Sequence, residues 1–183
     1  MTAEIRLRTF NADQAGPVLE ELVAIYVEVY DDSTDAFHGE QRYRIQLAGH
    51  MATPGWKLVT AGTDDEIIGY AYGFPLPPTT RWWRGLQTPL DSGFTEEDGR
   101  RTFAVSEIMV RTAWRRKGIG RSLHDTLLAG RPEPRATLLA EPDNFPAQAA
   151  YAAWGWDKVA VLRPRWDNAP LYEVLVKGVA PQL

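Results

Sequence analysis

The stretch "WRRKGIGRSLHDTLL", Trp114 to Leu128, opens with four basic residues and two glycines and then takes on a helical pattern. The segment before it, "RTFAVSEIMVR", is typical of a strand, and Ile119, Leu123 and Leu127 recur at the spacing of a buried helix face. A glycine-bearing turn between a strand and a helix presents N–H groups and the positive end of the helix dipole, which together favour a phosphate. The junction therefore predicts a phosphate site.

Spacing excludes two familiar phosphate loops at this junction. The P-loop pattern G-x-x-x-x-G-K-[ST] does not occur, and the dinucleotide fingerprint G-x-G-x-x-G fails because Leu123 stands where its third glycine is required. Gly118 and Gly120 let the backbone approach a ligand without an intervening Cβ. The basic residues that add neutralising charge are Arg115, Arg116, Lys117 and Arg121. Such a set suits a diphosphate.

A second segment, "NFPAQAAYAAWGW", follows after a short strand. It carries Asn144, Ala147, Tyr151 and Gly155-Trp156 in the pattern N-x-x-A-x-x-x-Y-x-x-x-G-[FW]. Together with the spacing Arg-x-x-Gly-x-Gly at the first junction, this segment resembles the GNAT superfamily of acyl-CoA-dependent N-acyltransferases. The order of predicted elements from Ile5 onward also resembles that family, so the resemblance covers nearly all of the chain.

Periodicity predicts six or seven strands and about four helices, and the length predicts one domain over residues 1–183. The resemblance implies that these elements form an α/β fold with a mixed sheet. The first predicted elements are a strand in "EIRLRTF" with one solvent-exposed face, helices over Pro17–Tyr30 and Asp35–Met51, and a hairpin around Asp64 and Asp65. A long connection over Pro77–Arg100 with one short helix then leads to the strand and helix of the junction. The last predicted elements are a strand in "ATLLAEP", a helix from Asn144 and two final strands. The resemblance implies that the central strands ending at Val110 and beginning near Thr137 run parallel but splay apart around a pantetheine arm.

Composition narrows the classes of function. The chain of 183 residues has a net charge of −4, which argues against a general nucleic-acid binder. It has no cysteine, so disulfides, thiolate metal sites and a cysteine nucleophile are excluded. No long apolar run and no signal-peptide core are present, so we expect a cytoplasmic protein without a membrane segment. His38, His50 and His124 do not form a metal constellation and are expected at the surface; no metal is expected.

The resemblance implies an N-acetyltransferase that transfers an acetyl or other acyl group from acetyl-CoA to a primary amine by direct attack in a ternary complex. The backbone of the strand end would hydrogen-bond the pantetheine arm and help to polarise the thioester carbonyl, and the amides of Arg116 to Arg121 would hold the pyrophosphate. The implied cofactor-binding residues are Ile108, Met109, Val110, Arg115, Arg116, Lys117, Gly118, Ile119, Gly120, Arg121 and Asn144.

The reaction needs a base for the ammonium form of the acceptor and an acid for the leaving thiolate. The family register implies that Tyr151 is the acid; the alternative is an aromatic ring that packs on the sheet. Glu107 is the carboxylate in the strand that would line the cleft, but plain alternation buries it with Val105 and Met109. A bulge, usual in the family, would turn it toward the acceptor, where partial burial would raise its pKa. Otherwise Glu107 orients the substrate or pairs with an arginine.

The acceptor side is the least defined part of the sequence. The region between the first two helices resembles the acceptor-side rim of the family, where Asp31, Asp32 and Asp35 would draw in a cationic amine. Such a cluster also suits a solvated turn. Trp82 and Trp83 of "RWWRG" suit either a lid that stacks on the acceptor or aromatics that cover the core or a partner in a homodimer. We expect a small-molecule or peptide amine as the acceptor. The alternative function is a catalytically silent acyl-CoA-binding or regulatory module with the same fold.

Overall fold

The structure is a computed structural model that describes residues 4–33 and 38–179. It contains seven strands and four α-helices within those residues. In chain order they are β1 (Arg6–Phe10), α1 (Leu19–Val29), α2 (Glu40–Met51), β2 (Lys57–Gly62), β3 (Ile67–Pro75), β4 (Thr102–Val110), α3 (Ile119–Leu128), β5 (Arg135–Ala140), α4 (Phe145–Ala153), β6 (Asp157–Leu162) and β7 (Tyr172–Gly178). The strands form a mixed sheet in the order β1-β2-β3-β4-β5-β7-β6, which confirms the predicted fold class.

The chain divides into two compact units. The first comprises Met1–Phe74 and Val105–Ala129, and the second comprises Pro75–Ala104 and Gly130–Leu183. The first unit thus holds α1, α2, α3, the three strands β1 to β3 and most of β4. The second unit holds the start of β4, the remaining strands and α4. The prediction of one domain over residues 1–183 stays a prediction.

In the first unit, β2 and β3 form the predicted antiparallel hairpin, and both faces of β3 are buried. The face that carries Tyr70 and Tyr72 lies toward α2, whose Tyr43 and His50 contact their hydroxyl groups. Helix α3 packs against β2 through its buried apolar residues. Strand β1 differs from the prediction of one buried face, because Arg6 to Thr9 are exposed on both sides of the strand. Leu7, which was expected to be buried, is 39% exposed to solvent. An edge strand pairs through its backbone alone, so its side chains need not be covered.

Strand β4 contains one residue more than the segment of the neighbouring β3 with which it pairs. The N–H of Arg111 donates to the carbonyl of Ile68, and the N–H of Leu76 donates to the carbonyl of Thr102. Nine residue steps separate Thr102 from Arg111, whereas eight separate Ile68 from Leu76, so β4 has an extra residue between these pairs. The expected bulge is therefore present, and side-chain alternation along β4 is broken.

In the second unit, β4 pairs in parallel with β5 over Thr102–Ala104 and Arg135–Thr137. Strand β7 lies antiparallel to both β5 and β6. The parallel pair confirms the prediction, while the divergence of these two strands toward their C-terminal ends stays a prediction. Helix α4 begins as predicted, since the Oδ1 of Asn144 accepts a hydrogen bond from the N–H of Ala147 at 3.3 Å.

The long connection before β4 is held in the second unit by a buried carboxylate. Oε1 of Glu97 accepts hydrogen bonds from Trp83 Nε1 at 3.0 Å, from the Thr102 hydroxyl at 2.8 Å and from Arg135 at 2.9 Å. Trp83 is only 7% exposed and packs edge-on against Phe94. The prediction of a short helix in this connection is wrong, because residues 76–101 form turns and bends.

Residues that follow the tryptophan pair extend the sheet at its β6 edge. Leu86 forms an isolated antiparallel bridge with Leu162, and the Gln87 N–H donates to the carbonyl of Val161 at 3.0 Å. A Cβ at Gly85 would lie 1.9 Å from the carbonyl oxygen of Arg163, so only glycine fits there. The connection is thus a packed part of the second unit.

Candidate active site

The junction before α3 has the backbone geometry of an anion site. Arg116 and Gly118 adopt left-handed conformations, with φ of 61° and 78°. No side chain caps the helix at Gly118, and the first helical bond runs from the N–H of Ser122 to the Gly118 carbonyl at 3.0 Å. The N–H groups of residues 119–121 therefore have no carbonyl partner within the helix and point out of its end. This end of α3 suits a negatively charged group.

The basic side chains of the junction lie at the surface around this helix end. Arg115, Arg116 and Lys117 are exposed. Arg115 Nε donates to the carbonyl of Val110 at 3.2 Å, and the Lys117 ammonium lies 4.6 Å from the ring centre of Trp114. Arg121 forms only an exposed pair with an aspartate one helical turn later, at 3.5 Å. Exposed cations beside outward N–H groups are a donor set that matches a diphosphate.

Glu107 lies on β4 within the first unit and is half-buried. Its Oε1 accepts a hydrogen bond from Gln46 Nε2 of α2 at 3.2 Å. The preceding residue, Ser106, also contacts α2, with its hydroxyl 3.3 Å from His50 Nδ1. Consecutive residues of a regular strand point to opposite faces, so contacts of both side chains with one helix agree with the broken alternation of β4. Glu107 thus lies on the face toward α2, and its direction toward an acceptor stays a prediction.

Three tyrosine hydroxyls of the first unit lie close enough to feel the charge of this carboxylate. The Tyr72 hydroxyl lies 3.0 Å from His50 Nδ1 and 3.4 Å from the Ser106 hydroxyl. The hydroxyls of Tyr43 and Tyr70 are 2.6 Å apart. Burial raises the pKa of all three tyrosines, and the negative charge of Glu107 raises each of them further. These phenols therefore stay protonated at neutral pH and serve as hydrogen-bonding groups.

His50 is neutral in this environment. Burial lowers its pKa from 6.5 to about 4. Its ring is also packed at 4.4 Å from the ring of Phe74. A link between His50 and Glu107 could not be predicted, since the hydrogen bonds that connect the two residues run through Tyr72 and Gln46. The one available signal was the spacing of Gln46 and His50, which places both on the same face of α2.

Tyr151 and Asn144 belong to the second unit. Tyr151 is half-buried, and its ring makes edge contacts with Trp154 and Trp156 at 5.8 and 6.4 Å between ring centres. These contacts fix the plane of the ring. The side chain of Asn144 is used as the cap of α4, and its role toward a cofactor stays a prediction. So does the acid role of Tyr151.

Other sequence predictions have mixed outcomes. The surface placement of the histidines is wrong for His124, which is 2% exposed and lies 2.7 Å from Asp125 Oδ1. It packs inward because it lies on the same helix face as Leu127 and Leu128, which are also buried. The surface placement is also wrong for His50, which is packed between Tyr72 and Phe74 and whose pKa is lowered by burial. Asp31 and Asp32 are exposed, and Asp35 lies outside the described residues. Trp83 is part of the core, which matches the alternative to a lid.

In residues 4–33 and 38–179, no three His, Cys, Asp or Glu side chains are grouped so that they could hold a metal ion. Over the same ranges, no helix combines the length and apolar character needed to cross a membrane.

Comparisons with known proteins give a consistent result. The model of the acetyltransferase (GNAT) family matches residues 19–156. Among solved structures, the chain is similar to aminoglycoside 6'-acetyltransferase type Ii, with 17% identity, a TM-score of 0.66 and coverage of 97% of this chain and 99% of that chain. No curated protein matches the chain by sequence.

Two further structures show the same fold. The Pyrococcus horikoshii OT3 protein PH1933 has 20% identity and a TM-score of 0.66, over 96% of this chain and 98% of that chain. The PaiA N-acetyltransferase of Thermoplasma acidophilum, solved in complex with coenzyme A, has 12% identity and a TM-score of 0.58, over 96% of this chain and 99% of that chain.

Proposed function

Because the chain belongs to the acetyltransferase (GNAT) family and is an N-acetyltransferase by that membership, we propose that it transfers an acetyl group from acetyl-CoA to a primary amine. The acceptor is a small molecule or a peptide, attacked directly in a ternary complex. The observation that carries this proposal is the uncapped, basic N-terminus of α3. Acetyl-CoA supplies the activated acyl carbon of a thioester.

The residues of the α3 junction fit the pyrophosphate of coenzyme A. The N–H groups at the helix end and the exposed Arg115, Arg116, Lys117 and Arg121 supply hydrogen bonds and positive charge without a competing cap. The similar Thermoplasma acidophilum enzyme was solved with coenzyme A, which supports the assignment. In the proposal, the backbone of Ile108 to Val110 holds the pantetheine arm.

Glu107 acts as the base in this proposal. An amine with a pKa near 10 arrives mostly as ammonium, so it must lose a proton before it can attack. The Glu107 carboxylate is half-buried and oriented by Gln46, and it takes that proton directly or through a water. The amine nitrogen then forms a bond to the acyl carbon as the carbon–sulfur bond breaks.

Tyr151 acts as the acid in the same proposal. Its hydroxyl gives a proton to the sulfur that leaves, which restores a neutral thiol. The position of Tyr151 within the second sequence motif supports this role, and the edge contacts with Trp154 and Trp156 hold its ring in one orientation. A cytoplasmic location and a homodimer stay predictions of the sequence.

A screen of amine acceptors by thiol release tests the function. The protein is incubated with acetyl-CoA and aminoglycosides, polyamines, amino acids, peptides or small aromatic amines. We expect at least one class to release thiol well above the rate without acceptor. If coenzyme A protects the protein against heat but none of the amines reacts, the silent acyl-CoA-binding module replaces the enzyme.

A further inference from the structure

A hydrogen-bond network in the first unit connects α2 to Glu107 through the centre of β3. Gln46 and His50 are one turn apart on α2, and Ser106 and Glu107 are neighbours on β4. Tyr72 of β3 lies between these two pairs and contacts Gln46, His50 and Ser106. We propose that Gln46 and His50 are positioning residues that hold the Glu107 carboxylate ionised and directed toward the acceptor. This inference rests on the proposed base role of Glu107.

The direction of each bond follows from the donors available. The Tyr72 oxygen receives donors from the Ser106 hydroxyl and from the side chain of Gln46. Its own proton is therefore directed to His50 Nδ1, 3.0 Å away. His50 then acts as an acceptor at Nδ1 and carries its proton on Nε2, as a neutral ring does.

The amide nitrogen of Gln46 makes two hydrogen bonds. Its Nε2 donates to Glu107 at 3.2 Å, and the amide also bonds to Tyr72. A reversed amide would place its oxygen against the carboxylate, which is unfavourable because both atoms are acceptors. Gln46 therefore presents an N–H group to Glu107, and a hydrogen bond to the charged form of a carboxyl favours that form.

His50 acts on Glu107 through three hydrogen bonds in series, which join His50 to Tyr72, Tyr72 to Gln46 and Gln46 to Glu107. Without an acceptor at Nδ1, the Tyr72 proton would turn toward Ser106 or Gln46 and disturb the donors that reach its oxygen. The other ionisable groups whose charge interacts with this cluster include Tyr26, Tyr43 and Tyr70, and Tyr43 and Tyr70 stay protonated because burial raises their pKa. Glu107 thus holds the negative charge of the cluster.

The experiment measures the pKa of Glu107 directly and does not depend on turnover. The carboxyl carbon is followed by 13C NMR against pH, and its resonance is assigned by its loss in Glu107→Gln. In Gln46→Met, which keeps the side-chain length, we expect the pKa of Glu107 to rise by about one pH unit, because the donated N–H is lost. The matched control is Gln41→Met, the same change at an exposed position of α2. It should leave the pKa in place.

A second pair of variants tests His50. His50→Phe removes the acceptor, whereas Asn in His50→Asn keeps an oxygen near the place of Nδ1. We expect His50→Phe to raise the pKa of Glu107 by a smaller amount than Gln46→Met and His50→Asn to restore it. An unchanged pKa in both Gln46→Met and His50→Phe, in proteins that melt as the wild type does, would overturn the inference.

Kinetics separates this inference from the proposed function. If Glu107 is the base, the acidic limb of kcat/KM against pH should move with the NMR pKa in each variant. A Glu107 pKa that rises in Gln46→Met while the acidic limb stays in place supports the network and overturns the base role.

Discussion

Tyr151 owes its proposed role to a single oxygen atom. Tyr151→Phe removes the hydroxyl and keeps the ring contacts with Trp154 and Trp156. Because general acid catalysis contributes roughly a hundredfold or more, we expect kcat to fall by about that factor while coenzyme A affinity stays the same. Steady-state kinetics and a coenzyme A titration measure the two quantities. Unchanged turnover would remove Tyr151 from the acid role.

Glu107 illustrates which features of a candidate catalytic residue can be predicted from the sequence and which cannot. Its type and its place in a strand made it a candidate base, and the need for a bulge followed from the cost of burying a carboxylate beside Val105 and Met109. Its partner Gln46 could not be predicted, since 61 residues separate them and only the packing of α2 on β3 joins them. The surface placement predicted for His124 is wrong because a polar side chain can still lie on the buried face of a helix.

Helix α3 was the most predictable element of the chain. Its apolar residues repeat at helical spacing, and Gly118 at its start needs a positive φ, which glycine adopts without strain. The left-handed conformation of Arg116 was not predictable, because arginine has no preference for it. It arises from the tight turn that joins β4 to α3.

The proposed pyrophosphate site can be tested at the N-terminus of this helix. Gly120→Glu places a carboxylate beside the outward N–H groups, where it competes with an anionic ligand and repels it. We expect coenzyme A to lose its ability to raise the melting temperature of the variant. Gly49→Glu is the matched control, because a Cβ at this exposed helical glycine of α2 meets no atom within 4 Å. Protection that persists in Gly120→Glu would contradict the site.

The C-terminus of α3 depends on a lysine from another element. Lys57 Nζ of β2 donates to the carbonyls of Thr126 at 2.8 Å and Leu127 at 3.1 Å, which satisfies oxygens that the helix leaves unpaired. We expect Lys57→Met to lower the free energy of unfolding by about 1–2 kcal/mol. Urea unfolding followed by circular dichroism measures it. The comparison is Lys158→Met, whose exposed pair with Glu173 is worth less than about 1 kcal/mol; equal losses would contradict the cap.

At the scale of the whole molecule, the order of strands and helices could be predicted, because the apolar period changes visibly from two to about 3.6 at each boundary. The connection before β4 could not. Its structure depends on Glu97 meeting Arg135, a residue 38 positions away, and no local pattern encodes that pair. Strand β1 was assigned a buried face that it lacks, because alternation does not distinguish an edge strand from a central one.

The stability of the protein should depend on pH through His50. Burial lowers its pKa from 6.5 to about 4, so the unfolded chain binds more protons than the folded chain between these values. Stability is therefore lost as the pH falls from 6.5 to 4, by up to about 3 kcal/mol. Urea unfolding at several pH values measures the slope. His50→Asn, which cannot titrate, should flatten it, and an equal slope in the variant would contradict this origin.

The bridge between Leu86 and Leu162 has a consequence for handling the protein in solution. The outer strand of a sheet offers unpaired N–H and carbonyl groups that can recruit another chain and begin aggregation. At the C-terminal end of β6, Leu162 forms a bridge with Leu86, the Val161 carbonyl accepts from the Gln87 N–H, and the Val161 N–H donates to the Thr88 hydroxyl at 3.0 Å. Gly85 makes this possible by its close approach to Arg163. The long connection thus keeps the C-terminal end of this edge strand from pairing with another chain.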